Sequence, residues 1–273
     1  MQLQIECSAI CNAACVFCPY PTMTRQRGTM DVDLFKKIID EAAEIPLISM
    51  ITITGLGEPL LDKHLFERLK YVRKKMPAIH LDLYTNGSYL TDAKIDEMID
   101  AKVTVLYVSL NAANAVKRQQ IMFPHNGTDD YDFVCQQSRK AIAKGLKVIV
   151  KAVTSKDLME HDERDQFKEA WGGFVDDGGN AFMHLEGNWA GATWPMRIKP
   201  TTACHRAISQ IMVLWDGRVS LCCFDGEGEV TLGDLNRQTI REIYNGGKAL
   251  EYRTAHMEGR RGEMPLCATC TAI

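Results

Sequence analysis

Three cysteines within eight residues, Cys11-Asn12-Ala13-Ala14-Cys15-Val16-Phe17-Cys18, constrain this chain more than any other stretch. Thiolates at C-x3-C-x2-C spacing can hold three corners of a cubane iron–sulfur cluster and leave the fourth iron open to a small molecule. A closed zinc site wants four ligands, and no further Cys or His follows nearby. A disulfide framework fits less well, because three cysteines cannot pair among themselves. A zinc knuckle, or three unrelated cysteines, is the plainer alternative.

The chain of 273 residues has room for one large domain and a small appendage. A formal charge of −3 argues against a dedicated nucleic-acid binder. There is no run of 18 apolar residues to span a membrane. Met1 to Glu6 has neither the basic nor the apolar region of an export signal. A cytoplasmic location is therefore expected. In that reducing setting the 10 cysteines point to metal or cluster ligation.

Strand-like runs occur at Leu3 to Glu6, Met50 to Thr54, Ile79 to Tyr84, Val103 to Leu110, Leu146 to Val153 and Ala181 to Glu186. Helical periodicity fills most of the gaps. It begins near Met30 and covers Asp62 to Met76, Thr91 to Ala101, Asp130 to Lys144 and His161 to Ala170. Strands alternating with helices imply βαβ units and a parallel sheet. The fold class expected is α/β: a partial (β/α)6 TIM barrel over residues 1–190, then a small β-hairpin and helix domain over 191–273. Ligands of such barrels gather at the C-terminal strand ends, where the cysteine loop lies.

The triplet, with an aromatic residue before its last Cys, resembles the signature of the radical S-adenosylmethionine (SAM) superfamily. The resemblance implies the same barrel and a [4Fe-4S] cluster on Cys11, Cys15 and Cys18. It also implies SAM chelated at the open iron, and reductive cleavage of SAM to a 5′-deoxyadenosyl radical that takes a hydrogen atom from substrate. Gly55-Leu56-Gly57-Glu58-Pro59 resembles the family's Gly-Gly-Glu motif, which gives Gly57 and Glu58 a place at the SAM amino group; a Gly-rich turn with a solvated Glu is the bland reading. Thr85-Asn86-Gly87 resembles a family turn beside SAM, with Asn86 near the cofactor but mainly structural. Strand alternation sends Ser109 and Asn111 to one side, where they could bind the SAM ribose or simply cap a strand end. Lys151 lies in an apolar run and needs a partner, either the SAM carboxylate or a protein carboxylate. Phe17 packs near adenine or in the core.

Cys204, Cys222, Cys267 and Cys270 form a second set, at intervals of 18, 45 and 3 residues. Strand, Asp216-Gly217 turn and strand read as a hairpin between the first two. Leu232-Gly233-Asp234-Leu235 follows, then helices near Gln238 to Tyr244 and Lys248 to Met257. The order resembles the SPASM auxiliary-cluster domain, in its shorter twitch form with one further [4Fe-4S] cluster. The layout is similar to that of an aminocyclitol-oxidising member of the superfamily. Four thiolates also suit zinc. Cys223 competes with Cys222; hairpin alternation turns the two to opposite faces, and Cys222 is chosen from the resemblance. Cys7 and Cys135 read as small buried thiols.

The expected activity is that of a radical SAM oxidoreductase dehydrogenating a small polar molecule, with the auxiliary cluster taking the second electron. Arg118, His125, Tyr131, His184 and Glu186 are the unranked candidates for accepting the proton. A flavodoxin- or ferredoxin-type donor is the expected redox partner; nucleic acid and membrane are not. A peptide-modifying radical enzyme is the first alternative. With ten residues ahead of Cys11, no leader-binding domain is expected there, which lowers that alternative. A structural or regulatory zinc protein is the second. Lys70, Arg73, Lys74, Lys75 and Arg260-Arg261 read as solvated charge.

Overall fold

The computed structural model describes residues 1–154, 158–185, 187–193 and 202–271. In chain order the elements are β1 (Gln2–Ile5), α1 (Val32–Ala43), β2 (Met50–Ile53), α2 (Leu65–Lys75), β3 (His80–Thr85) and α3 (Asp92–Asp100). β4 (Val105–Ser109), α4 (Ala115–Met122), α5 (Tyr131–Ala143), β5 (Val148–Thr154), α6 (His161–Ala170) and β6 (Ala181–Leu185) follow. The C-terminal part holds α7 (His205–Ser209), β7 (Gln210–Val213), β8 (Arg218–Ser220), β9 (Thr231–Asp234), α8 (Ile240–Tyr244) and α9 (Gly247–Met257).

The chain divides into two compact units. The first comprises Met1–Cys11, Cys18–His80 and Gly187–Ile273. Its central strand is β1, parallel to β2 on one side and to β7 on the other. β7, β8 and β9 then run antiparallel. The C-terminal hairpin thus continues the sheet that begins at the N-terminus, a pairing that no local sequence pattern announces. α1 starts where the Asp31 carboxylate accepts the Asp33 and Leu34 N–H groups. It buries Phe35, Ile38, Ile39 and Ala42 at helical spacing.

The second unit comprises Asn12–Phe17 and Leu81–Glu186. β3, β4, β5 and β6 are parallel in that order. Six of the seven residues of β5 are buried, as expected of a parallel strand covered on both faces. Lys151 is the half-buried exception.

The fold class is therefore α/β on a largely parallel sheet, and no closed barrel forms among the described residues. All six expected parallel strands are present. The sequence reading missed α4, whose eight residues bury just Arg118, Ile121 and Met122 and so show little apolar periodicity. It also missed α7 and β9 as regular elements.

Candidate active site

In the first unit the segment after β1 is pinned by its neighbours. The Leu56 N–H donates to Glu6 Oε1 (3.1 Å), and the Glu58 N–H donates to the Ile10 carbonyl (2.8 Å). A Cβ on Gly57 would lie 1.9 Å from the Ser8 carbonyl oxygen, so this close approach requires glycine. Glu58 is buried, and its Oε1 accepts the Leu60 N–H. Its carboxylate thereby caps a short turn at Pro59–Leu61.

Tyr20, unremarked in the sequence, ties Cys11 to the Cys18 end of the loop. Its hydroxyl accepts the Cys11 N–H (2.9 Å) and donates to the Cys11 carbonyl (3.2 Å). Its own N–H points at Cys18 Sγ (3.5 Å). The Arg27 guanidinium covers the Tyr20 ring at 4.3 Å. Cys11 and Cys18 pack against Ala9, Tyr20, Met23 and Leu56. Burial pushes the Cys18 thiol up to about 11, against the pull of the Tyr20 N–H. A thiol of this kind ionises when a cationic centre arrives.

In the second unit the middle of the cysteine loop is held by backbone. The Ala14 and Val16 N–H groups donate to the carbonyls of Met122 and Ile121, both 2.9 Å, at the end of α4. Asn86 Nδ2 donates to Asn12 Oδ1 (2.8 Å), and Asn86 Oδ1 accepts the Ser88 N–H (2.9 Å). Asn86 thus fastens the turn after β3 to the cysteine loop. Phe17 is buried.

Arg118 gathers the strand ends of this unit. Its guanidinium donates to the carbonyls of Ser109 (3.2 Å), Leu110 (2.9 Å) and Asn86 (2.8 Å) and pairs with Asp130 (2.6 Å). It is a buried hydrogen-bond donor committed to backbone, which corrects its candidacy as a proton acceptor. The Tyr131 hydroxyl donates to the Ala113 carbonyl (2.5 Å), and burial raises its pKa far above the usual phenol value. It too is a poor acceptor. His125 is exposed, and His184 is half-buried beside the Phe182 ring. Glu186 lies outside the described residues.

The expected alternation of Ser109 and Asn111 does not hold. β4 ends at Ser109, and Asn111 has φ +59°, a left-handed conformation that Asn tolerates. Its Oδ1 accepts the Val153 N–H (3.2 Å), so the side chain stitches β4 to β5. Lys151 finds a partner type that the sequence reading did not consider. Its ammonium lies 4.9 Å over the Tyr84 ring, 6.0 Å over Tyr107 and 5.7 Å over Phe182.

The second cysteine set lies in the first unit. Cys204, Cys267 and Cys270 are buried, and Cys222 is half-buried. Burial pushes the Cys267 thiol up to about 12, and Cys270 and Cys204 add to it. Cys222 is raised well above the ordinary thiol, first by burial, then by Cys223, with Cys267 and Cys270 adding further. Cys223 is raised by burial, while Arg206 pulls it down. Cys204 raises Cys223 as well, so both neighbours feel members of the set, and strand alternation does not separate them, since β8 ends at Ser220. No three Cys, His, Asp or Glu side chains among the described residues lie close enough to share one metal ion. Cationic groups flank the set. Arg206 lies over the Phe224 ring at 5.0 Å. Arg261, expected as solvated charge, is instead buried and donates to the Cys270 carbonyl (3.0 Å).

A cavity of about 260 Å³ opens in the first unit. Pro19, directly after Cys18, and Leu56, inside the Gly-rich loop, line one part. Leu266 and Thr269, which flank Cys267, line another, with Trp189 and Phe224 as aromatic wall. Trp189 and Phe224 pack together at 5.1 Å.

The radical SAM superfamily model matches residues 5–166, more than half of the chain. The chain belongs to the radical SAM superfamily. The model of the iron–sulfur cluster-binding SPASM domain matches residues 204–271. S-adenosyl-L-methionine-dependent 2-deoxy-scyllo-inosamine dehydrogenase of Niallia circulans is 21% identical over 272 residues, covering 99% of this chain and 92% of its own length. The structure of BtrN in complex with AdoMet and 2-DOIA matches with TM-score 0.69 at 19% identity, over 100% of this chain and 93% of that one. The structure of anSMEcpe with AdoMet and the Cp18Cys peptide matches with TM-score 0.73 at 16% identity, over 93% and 82%. These structural likenesses speak for the fold. Membership implies SAM and [4Fe-4S] clusters as cofactors and an enzyme as the product of the fold. No helix among the described residues is long and apolar enough to cross a membrane.

Proposed function

We propose that this radical SAM enzyme is an oxidoreductase that dehydrogenates a small polar molecule. The observation that carries the reading is the cavity reached by residues adjoining both Cys18 and Cys267. A volume of about 260 Å³ suits a single polar ring rather than a folded peptide segment.

When bound, SAM and the clusters supply a 5′-deoxyadenosyl radical for hydrogen abstraction and an acceptor for the electron left on substrate. Cys11, Cys15 and Cys18 would hold the first cluster. Tyr20 fastens Cys11 to the Cys18 segment, and the carbonyls of Ile121 and Met122 fix the middle of the loop. Gly57 and Glu58 would contribute to the SAM pocket, with the backbone of the Gly-rich loop laid flat on Ser8 to Ile10. Phe17, Asn86, Ser109, Asn111 and Lys151 of the second unit would be further SAM-binding residues. Cys204, Cys222, Cys267 and Cys270 would hold an auxiliary [4Fe-4S] cluster. The match of the iron–sulfur cluster-binding SPASM model over residues 204–271 supports this. The functional division is residues 1–190 and 191–273, in keeping with the two family segments. His125 and His184 are the remaining described candidates for accepting the substrate proton. The protein would work in the cytoplasm with a flavodoxin- or ferredoxin-type electron donor.

The test is anaerobic turnover with SAM, reductant and a panel of aminocyclitols and polyols. One ketone formed per 5′-deoxyadenosine supports the reading. Deoxyadenosine without any oxidised product, across the panel, contradicts it. The match to anSMEcpe with a bound peptide favours a second reading, oxidation of a peptide side chain, for which short Ser- or Cys-containing peptides belong in the same panel.

A further inference from the structure

Helix α9 buries a histidine that neither the sequence reading nor the proposed reaction uses. Its inner face presents Ala249, Tyr252, Arg253 and His256 at helical spacing. His256 is 1% exposed. Its Nδ1 lies 3.0 Å from the backbone nitrogen of Cys204, and its Nε2 lies 3.4 Å from Cys267 Sγ. One imidazole therefore bridges two members of the second cysteine set, which are 63 residues apart in the chain.

The tautomer follows from the partners. A backbone N–H can donate and never accept, so Nδ1 must be the acceptor. The opposite tautomer would set two N–H groups against each other at 3.0 Å. The single proton then resides on Nε2, aimed at Cys267 Sγ.

We propose that His256 is a positioning residue that donates an Nε2–H···Sγ hydrogen bond to Cys267 and so raises the reduction potential of the auxiliary cluster. The inference rests on reading Cys204, Cys222, Cys267 and Cys270 as a [4Fe-4S] site. Reduction adds negative charge to the cluster sulfurs, so a bond donated to one of them strengthens in the reduced form. Hydrogen bonds to sulfur are among the factors that set iron–sulfur potentials. A cluster tuned upward is the better acceptor for an electron taken from substrate. Cys204 gains from the same ring, because its N–H, buried with it, would otherwise lose its partner.

The experiment uses protein carrying Cys11→Ala, Cys15→Ala and Cys18→Ala, so that the auxiliary site is the single place for iron. Its potential is followed by EPR in a redox titration with His256 intact, with His256→Phe and with His256→Gln. Phe keeps the ring volume and removes the donor. Gln places an amide nitrogen near the Nε2 position. The expected result is a lower potential for His256→Phe, by at least a tenfold change in the one-electron equilibrium, about 59 mV. His256→Gln should recover most of that shift. A Phe variant with full iron and an unchanged potential overturns the proposal, because a purely structural histidine would not move it.

A second measurement does not depend on the variant folding. Pulsed EPR of the reduced cluster, with His256 intact, ¹⁵N-labelled histidine and a His205→Gln background, should show a ¹⁵N coupling and an exchangeable proton. Absence of both overturns the proposal. If the triple variant takes up no iron at all, the quartet reading has failed and the proposal falls with it.

Discussion

Glu6 and Arg25 form a buried ion pair, Oε1 to Nη2 2.6 Å, with side chains 0% and 5% exposed. Glu6 Oε1 also accepts the Leu56 N–H, and Oε2 accepts the Trp215 N–H (3.3 Å). Arg25 Nε donates to the Gly226 carbonyl (2.5 Å). One carboxylate thus joins the end of β1, the Gly-rich loop and the segment after β7. Removing either partner leaves a buried charge alone, which costs about 3–5 kcal/mol. Glu6→Gln and Arg25→Met should each lower stability by that order in denaturant titrations. The double variant should lose less than the sum of the two. Additive losses would show that the pair is not coupled.

Gly57→Ala tests the close approach between two backbones. The new methyl would meet the Ser8 carbonyl oxygen at 1.9 Å, and neither backbone can yield as a flexible side chain would. The variant should retain auxiliary-cluster iron but bind SAM at least tenfold more weakly, a loss of about 1.4 kcal/mol. Equilibrium dialysis of the reconstituted protein measures it. Unchanged SAM affinity would remove Gly57 from the pocket.

Arg118 organises the strand ends through three backbone carbonyls, Met122 Sδ and Asp130. Arg118→Met should destabilise the protein by about 3–5 kcal/mol, since Asp130 then stays part-buried without its cation. Thermal unfolding checks this. A proton-accepting role would instead leave stability intact and shift the pH profile of turnover.

Cys222 is raised in part by two members of the set, Cys267 and Cys270, whereas Cys223 is raised by one, Cys204, and pulled down by Arg206. Cys222→Ser should therefore cut the reconstituted iron from about eight to about four per chain, and Cys223→Ser should leave about eight. The reverse pattern would transfer the ligand role to Cys223.

Much of this was open to inspection in the sequence. The cysteine spacings, the Gly-Leu-Gly-Glu run and the strand–helix alternation are local signals, and the parallel strands appear where those signals put them. What escaped is non-local. Tyr20 matters because its hydroxyl reaches back to Cys11, and its type alone says nothing of that. His256 sits in an ordinary helical pattern until the fold sets Cys204 and Cys267 at its two nitrogens. Arg261 looked like surface charge beside Arg260, yet it is buried against Cys270. Strand alternation does not reach Asn111, because β4 stops two residues earlier and the chain turns left-handed there. Residues of these types bear on the site through partners far away in sequence, which no spacing rule encodes.

The central claim is that one chain carries two four-iron sites, one open to SAM and one closed by four thiolates. Iron and acid-labile sulfide per chain, after anaerobic reconstitution, test it most directly, beside a variant with Cys11, Cys15 and Cys18 all changed to Ala. The account gives about eight iron in the unaltered protein and about four in the variant. About four iron falling to none would leave the second set without a cluster and the oxidation without its electron acceptor. No iron in either protein, with zinc bound tightly, would contradict the radical reading itself.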